Sequence, residues 1–270
     1  MSQAPLVVAH RGSSYVLAEH TLGAYLRAIE EGADALECDV RLTRDGHLVC
    51  VHDRRVDRTS DGTGVVSDFD LDDLREFDFG SWHRPAGDAY IEERDSTEAP
   101  VLTLERLLDV VAEVGRDVRL LVETKHPTRY AGLVEQQLVR LLEKHDLAAP
   151  ADRAASPVTV MSFSPVALRR VRLLAPALPT VSLWWRRVPA LRRDGSMSAS
   201  ADIAGPSIQL LHADPGYVAR AHARGTPVYV WTCDEPADID LALSLGVDAV
   251  ITNRPAAVLE RLGRPGPRGG

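Results

Sequence analysis

Short apolar runs recur along the chain, and between them apolar residues return every three or four positions. The first pattern predicts buried β-strands and the second predicts amphipathic helices, so strands and helices alternate as they do around a parallel sheet. The helical spacing is clearest at residues 22–29 and 104–111, where Thr103 is placed to act as an N-cap. The runs that predict strands lie at residues 6–10, 35–40, 48–52, 120–124, 158–163, 180–185, 207–211, 228–232 and 248–252.

Two of these runs predict a hairpin. Residues 35–40 and 48–52 are too close for a parallel crossover, which needs about a dozen residues, and an Arg-Asp-Gly turn lies between them at 44–46. With 48–52 as the returning arm of the hairpin, eight strands remain, each followed by a helix or by room for one. The sequence therefore predicts an α/β fold, a single (β/α)8 barrel in one domain at residues 1–262.

Other segments lack this alternation. Residues 54–102 are rich in Asp, Gly, Pro and Glu, and we interpret them as a small insertion over the barrel mouth with a short helix near 70–77. Residues 186–206 are irregular as well. The Gly- and Pro-rich tail at 263–270 is predicted to be disordered.

Composition narrows the range of functions. The chain has 270 residues and a formal net charge of −8, from 31 basic and 39 acidic residues. This charge argues against a bulk attraction to nucleic acid or to an anionic membrane, and no apolar run reaches membrane-spanning length. No nucleic-acid partner and no stable membrane association are expected, and phosphate chemistry would require a local basic site.

The predicted compartment is the cytoplasm. Cys38, Cys50 and Cys233 have apolar neighbours and no metal-site or disulfide spacing, so they are expected to be free core thiols. The N-terminal residues run directly into an apolar strand and lack the features of an export signal.

Polar residues that are unusual for a barrel strand collect at one end of the predicted barrel. In such barrels the carboxyl ends of the strands and the loops that follow hold the active site. Glu37 and Asp39 share one face, because side chains two apart on a strand point the same way. The residues at this end are His10, Arg11, Glu37, Asp39, His52, Glu123 and Lys125.

Three carboxylates at one barrel end predict a cation site. Glu37 and Asp39 repel each other, and Glu123 adds a third acid, so a divalent cation would offset the cost of burying them. Oxygen ligands favour Ca²⁺ or Mg²⁺. The alternative is a structural network of ion pairs between these acids and three nearby cations, Arg11, Arg41 and Lys125.

Two histidines beside such a site indicate acid–base chemistry. His10 and His52 could accept and donate protons in turn, while Arg11 and Lys125 would hold a phosphate. Together these groups indicate cleavage of a phosphodiester. Six further histidines are interpreted as structural side chains, namely His20, His83, His126, His145, His212 and His222.

The order of these motifs resembles that of a known family. AHRGSSYVLAEHT, ECDVRLTRDGHLVCVHD, VETK, MSF, VYVWTCDE and GVDAVITNRP are similar to the successive motifs of the glycerophosphodiester phosphodiesterases, over residues 5–260. The resemblance implies that this family's substrate, a small glycerophosphodiester, is cleaved to sn-glycerol 3-phosphate and an alcohol. The implied roles are metal ligation by Glu37, Asp39 and Glu123, acid–base catalysis by His10 and His52, phosphate contacts by Arg11 and Lys125, an apolar wall of Phe163 and Trp231 against the glycerol carbons, and support by Glu19.

Two positions depart from the family pattern. Residues 19–21 read Glu-His-Thr where the family usually has Glu-Asn-Thr, and residues 252–255 read Thr-Asn-Arg-Pro where it has Thr-Asp-x-Pro. We expect His20 to alter the rim beside the first helix. Asn253 is expected to loosen a hydrogen-bonded support at the end of the last strand.

Alternatives remain for the activity. A lysophospholipase D would cleave a diester that keeps one acyl chain, although the polar, acidic residues 82–100 favour a wet rim over an acyl groove. A catalytically inactive barrel that binds phosphodiesters is disfavoured, because the whole set of histidines and acids is retained. The barrel and its histidine pair also resemble the phosphatidylinositol-specific phospholipases, which implies attack by the glycerol 2-hydroxyl, with direct attack by water as the competing route. The sequence predicts neither the oligomeric state nor the head group.

Overall fold

The computed structural model describes residues 4–83, 99–264 and 266. Most of the segment predicted to form a wet rim, and most of the tail predicted to be disordered, lie outside the described residues. Those two expectations, and the division of the chain into a domain at 1–262 and a tail, stay predictions.

In the part of the chain that the structure describes, nine strands form one sheet whose order is β7-β6-β5-β4-β2-β1-β9-β8, with β3 paired to β2. All pairings in that order are parallel, and single parallel bridges, Ala204 with Val228 and Ser207 with Trp231, join β7 to β8. The predicted (β/α)8 barrel is therefore confirmed, as a nearly closed barrel. The strands are β1 Leu6–His10, β2 Ala35–Leu42, β3 Leu48–Cys50, β4 Arg119–Thr124, β5 Val158–Ser162, β6 Thr180–Trp184, β7 Ile203–Pro206, β8 Tyr229–Val230 and β9 Ala249–Thr252.

Helices follow the barrel strands and carry the chain back along the outside. Thr103 caps its helix as predicted, since its side chain accepts a hydrogen bond from the main-chain N–H of Arg106. The short helix expected near 70–77 is also present. The helices are α1 Leu22–Glu31, α2 Leu71–Arg75, α3 Leu104–Glu113, α4 Leu133–Lys144, α5 Pro165–Leu174, α6 Ile208–Ala213, α7 Tyr217–Ala223, α8 Pro236–Leu245 and α9 Pro255–Arg261.

The predicted hairpin, whose second arm is not one of the eight barrel strands, is confirmed. β2 and β3 are antiparallel, with Val40 opposite Cys50. Gly46 closes the turn with a φ of 91°, in the left-handed region that glycine adopts without strain. The hairpin turns the chain back so that the main-chain N–H of Val51 donates to the carbonyl oxygen of Asp39 at 3.0 Å, one residue before His52.

One predicted strand is wrong. Residues 207–211 begin α6, and the strand lies just before them, at β7. The run Ile-Gln-Leu-Leu buries Ile208 and Leu211, three positions apart, which is a helical spacing that a short apolar run conceals. The true strand contains Gly205, where a Cβ would come within 2.8 Å of side-chain atoms of Leu183 and Val181, so close packing selects a residue that carries a weak strand signal.

The apolar core lies inside the barrel and between the sheet and its helices. All three cysteines are buried and free, as expected for core thiols. In the described residues that follow the hairpin, Val56, Leu74 and Phe79 belong to a separate small cluster that packs under the mouth. Among the residues that the structure describes, no helix is both long enough and apolar enough to cross a bilayer.

Candidate active site

The strand register brings the three predicted acids together. His10 on β1 lies opposite Glu37 on β2, and Asp39 on β2 lies opposite Glu123 on β4. One carboxylate oxygen from each of Glu37, Asp39 and Glu123 lies within 4.8 Å of the other two. All three side chains are buried. The acids therefore form one compact cluster at the carboxyl ends of the strands.

The pKa values of the three acids are shifted in opposite directions, up for Glu37 and Glu123 and down for Asp39. Burial raises the pKa of Glu37 well above its ordinary value, and the neighbouring Asp39 adds to the shift. Burial and Asp39 likewise raise the pKa of Glu123, to about 7. Burial alone would raise the pKa of Asp39 too, yet the Lys125 ammonium and the Arg11 guanidinium hold it well below its ordinary range. Asp39 is thus the stable anion of the cluster.

Two of the predicted cations contact the acids directly. Lys125 Nζ lies 2.9 Å from Asp39 Oδ1 and 2.8 Å from Glu123 Oε1, and Arg11 Nε lies 3.0 Å from Asp39 Oδ2. Arg41 instead donates two hydrogen bonds to the carbonyl oxygen of His52. The structural ion-pair network considered above is therefore present in part, with two cations against three acids.

The cluster fits a divalent cation. Its donor set is entirely carboxylate oxygen, the set that Ca²⁺ and Mg²⁺ prefer. Asp39 Oδ1 is buried and, despite the approach of Lys125, accepts no hydrogen bond of acceptable geometry from the described residues. Its neighbour is the Lys125 ammonium at 2.9 Å, so this oxygen already lies where positive charge stabilises it, as a cation ligand must.

His52 reaches the site from the hairpin arm. Its Nδ1 lies 2.7 Å from Asp53 Oδ1, so this nitrogen carries the proton and donates it to the carboxylate. Its Nε2 is then the free acceptor, and the ring lines the same cavity as Glu37 and Glu123. Burial lowers the pKa of His52 to about 4.

His10 is oriented in the same manner by an amide. Its Nδ1 lies 2.7 Å from Asn253 Oδ1, while Asn253 Nδ2 donates to Asp234 Oδ2 at 2.6 Å. Since the Asp234 carboxylate can only accept, the amide orientation is fixed and His10 Nδ1 must donate. His10 Nε2 is left as an acceptor 3.9 Å from Glu37 Oε2, and burial lowers the pKa of His10 to about 3.

A cavity of about 300 Å³ opens beside these groups. Glu37, Glu123, Arg11, Lys125 and both histidines line it. Phe163 and Trp231, the predicted apolar wall, also line it, in edge-to-face contact with ring centroids 5.3 Å apart. Trp185 joins this wall with 59% of its surface exposed, and the sequence analysis missed it, since it lies within an apolar run that also packs the core.

Glu19 lies behind the cavity and does not line it. It accepts from Arg11 at 3.0 Å and from both terminal nitrogens of Arg58, whose Nε donates to Asp53. A chain of ion pairs thereby runs from the acid cluster through Arg11, Glu19 and Arg58 to Asp53 beside His52. The sequence predicted a supporting role for Glu19 and none for Asp53, although Asp53 directly follows the histidine.

The sequence of this chain matches a known protein family. The sequence profile of the Glycerophosphoryl diester phosphodiesterase family matches residues 10–257. This chain belongs to that family. It is 47% identical over 252 residues to the "Probable glycerophosphodiester phosphodiesterase 1" of Mycobacterium tuberculosis, an alignment that covers 93% of this chain and 90% of the relative. It is 35% identical over 255 residues to the glycerophosphodiester phosphodiesterase of Bacillus subtilis, with 93% and 84% covered.

A solved structure shares the fold of this chain. An Oleispira antarctica phosphodiesterase in complex with the product sn-glycerol-3-phosphate superposes with a TM-score of 0.80, at 24% identity, over 96% of this chain and 97% of that one. Members of this family generally depend on a divalent metal, and the acid cluster is consistent with that dependence.

The two departures from the family pattern take clear positions. The expectation that His20 alters the rim is wrong, because this side chain is buried and its Nε2 lies 3.0 Å from Asp39 Oδ2. Asn253 keeps a hydrogen bond to His10, so that support is present with an amide in place of the family's carboxylate. No feature of the sequence pattern had linked His20 to the acid cluster.

Proposed function

We propose that this protein is a metal-dependent phosphodiesterase that hydrolyses glycerophosphodiesters to sn-glycerol 3-phosphate and an alcohol. One observation carries the proposal: carboxylate oxygens of the buried Glu37, Asp39 and Glu123 lie within 4.8 Å of one another, and two of these acids share a cavity with two histidines whose Nε2 atoms are free acceptors. The family match and the curated relatives, which are named for this activity, support the substrate class. The product bound to the Oleispira antarctica phosphodiesterase supports the proposed product.

Glu37, Asp39 and Glu123 would hold the cation, Ca²⁺ or Mg²⁺. When bound, such an ion supplies positive charge to phosphoryl oxygens. Lys125 and Arg11 line the cavity beside the same acids and would bind the phosphodiester as well. Phe163 and Trp231 would pack against the glycerol carbons.

The two histidines would move the protons. One ring takes, at its Nε2, the proton of the attacking hydroxyl as the hydroxyl oxygen bonds to phosphorus. The other ring, which has first taken up a proton from solvent at its Nε2, gives that proton to the departing alcohol oxygen as its bond to phosphorus breaks. Asp53 and Asn253 hold the two Nδ1–H groups, so each Nε2 is directed to this exchange.

Removal of the cation tests the proposal. Treatment with a chelator should abolish hydrolysis of glycerophosphocholine, and addition of Ca²⁺ or Mg²⁺ should restore it. Glu37→Gln and Asp39→Asn should weaken cation binding, whereas Glu105→Gln, which changes an exposed acid paired with Lys144, should not. Full activity in the chelator after dialysis would overturn the metal assignment.

The apolar side of the cavity favours a second candidate, lysophospholipase D activity. Trp185 extends the wall of Phe163 and Trp231 toward the outside, and apolar side chains also line the floor. Parallel assays of glycerophosphocholine and lysophosphatidylcholine decide between the two substrates. A higher kcat/KM for the acylated diester would favour the second candidate.

A further inference from the structure

His20 lies beneath the acid cluster in a backbone conformation that few residues adopt. Its φ is 63°, in the left-handed region, and only 5% of its surface is exposed. Its Nε2 lies 3.0 Å from Asp39 Oδ2, and its Nδ1 lies 2.8 Å from the hydroxyl of Tyr25, which is fully buried on α1. Strained backbone of this kind persists where surrounding contacts fix it, and it is concentrated at functional sites.

The hydrogen-bond inventory fixes the direction of the first contact. An ionised carboxylate has no proton to give, so His20 Nε2 must be the donor to Asp39. The Tyr25 hydroxyl is the hydrogen-bond partner of the other ring nitrogen, Nδ1. It also lies 3.1 Å from the carbonyl oxygen of Glu37. That carbonyl also accepts from the main-chain N–H of Arg11, so Tyr25 can direct its proton to His20 Nδ1 without leaving the carbonyl unsatisfied.

This contact is the one aligned hydrogen bond that the Asp39 carboxylate receives from the described residues. Arg11 Nε lies close to Asp39 Oδ2, and Lys125 Nζ lies close to Asp39 Oδ1. Neither Arg11 Nε nor Asp39 Oδ1, however, forms a hydrogen bond of acceptable geometry with any described residue. With Oδ2 held by His20, Oδ1 is left on the side of Lys125, which also contacts Glu123. His20 therefore holds Oδ2 by a hydrogen bond, beside the ion pairs that Arg11 and Lys125 form with the same carboxylate.

We propose that His20 and Tyr25 are positioning residues, a buried pair that orients the Asp39 carboxylate so that Oδ1 is presented to a cation. The inference rests on the proposed cation site. Partners of this kind behind a metal ligand fix its orientation, and their loss typically weakens metal binding by about 10- to 100-fold. The pair also connects the cluster to α1, whose first turn is fixed by the Thr21 cap.

The first measurement needs no metal. In ¹⁵N long-range spectra of the metal-free protein, the His20 ring should carry a proton on Nε2. A ring protonated on Nδ1 alone would overturn the proposal, since it could not donate to Asp39.

The second measurement is cation affinity by calorimetry, with Mg²⁺ and Ca²⁺ as the probes. Tyr25→Phe should weaken binding by about 10-fold or more, because the ring stays but the hydroxyl is lost. His20→Leu should weaken it further, and His20→Asn should recover part of the loss, since its amide can donate and Asn tolerates the left-handed backbone. The matched control is Tyr217→Phe, which removes a buried hydroxyl that has no partner among the described residues.

A positioning role predicts one further result. Activity lost in Tyr25→Phe should return as the cation concentration is raised, with kcat recovering toward the control. If wild type binds the cation and Tyr25→Phe binds it as tightly as Tyr217→Phe does, the positioning inference is wrong while the proposed function stands. If wild type itself binds neither cation, both are wrong.

Discussion

Arg11 connects more groups than any simple phosphate ligand requires. Its main-chain N–H donates to Glu37, its Nε lies beside Asp39, and its terminal nitrogen donates to Glu19. A lysine at this position could form one of the two side-chain contacts at a time, because a single ammonium cannot reproduce the guanidinium fork.

We therefore expect Arg11→Lys to lower kcat/KM by about 10- to 100-fold, which corresponds to the roughly 1.5–3 kcal/mol of a hydrogen bond to a charged group. Arg129→Lys is the control, since Arg129 forms an exposed ion pair with Asp68. Steady-state kinetics on glycerophosphocholine measure both. Wild-type behaviour of Arg11→Lys would show that the fork is not needed.

Asp53 provides a second test at this scale. Because it accepts the Nδ1–H of His52, Asp53→Asn should disturb the tautomer and lower kcat by about 10- to 100-fold, part of the 10²–10⁴ that a positioned acid or base contributes. Asp57→Asn removes an exposed partner of Arg55 and should leave kcat unchanged. Equal kcat values for the two variants would contradict a role for Asp53 in orienting His52.

The sequence predicted individual site residues better than their partners. Glu37 and Asp39 are conspicuous because acids are rare inside an apolar strand, and the barrel fold then supplies the place where they meet Glu123. His20 and Asp53 act through contacts that depend on the left-handed loop before α1 and on the exact course of the chain after the hairpin. Such contacts have no periodicity, so a pattern of apolar and polar positions does not contain them.

At the scale of elements, Asp78 joins two segments of the mouth insertion, at residues 80 and 99. Its carboxylate accepts from the main-chain N–H groups of Gly80 and Ala99 at 2.8 and 3.0 Å, and Phe79 donates to the carbonyl oxygen of Ala99. Although burial opposes it, hydrogen bonds from Ser81 and the main chain hold the pKa of Asp78 below its ordinary value. The chain at 80 and at 99 is thereby held close together.

Asp78→Asn should lower the free energy of unfolding by about 1–2 kcal/mol at neutral pH. A carboxyl whose pKa is lowered by folding stabilises the protein above its unfolded pKa of about 3.9, and this contribution is lost as the pH falls. The difference between wild type and variant in urea unfolding should therefore shrink below about pH 4. The control Asp72→Asn, at a side chain that is 91% exposed, should have little effect at either pH.

Element prediction succeeded where two signals agreed. The hairpin has a short connection and a glycine in the left-handed region, and α3 has both helical spacing and its threonine cap. β7 failed because the close approach of Leu183 and Val181 places Gly205 in the strand, while the apolar run beside it belongs to a helix. Tertiary packing determines where β7 lies, and the local sequence pattern carries no signal for that position.

At the scale of the whole molecule, the open question is the attacking group. The glycerol 2-hydroxyl would give a cyclic phosphate that water then opens, and an intramolecular attack can gain up to about 7–11 kcal/mol from proximity. A substrate analogue with hydrogen in place of that hydroxyl should therefore be cleaved far more slowly than the natural diester. Equal rates for the two compounds would exclude the substrate hydroxyl and leave water as the attacking group.

The few hydrogen bonds between β7 and β8 predict that the barrel opens locally at this junction. β8 has two residues and joins β7 through two single bridges, whereas β2 and β4 pair at six positions. Amide protons of residues 228–231 should therefore exchange with deuterium sooner than those of β2, because local opening needs fewer broken hydrogen bonds. Since Trp231 lies at this junction and also lines the cavity, a bound substrate should slow that exchange, which hydrogen–deuterium mass spectrometry can measure.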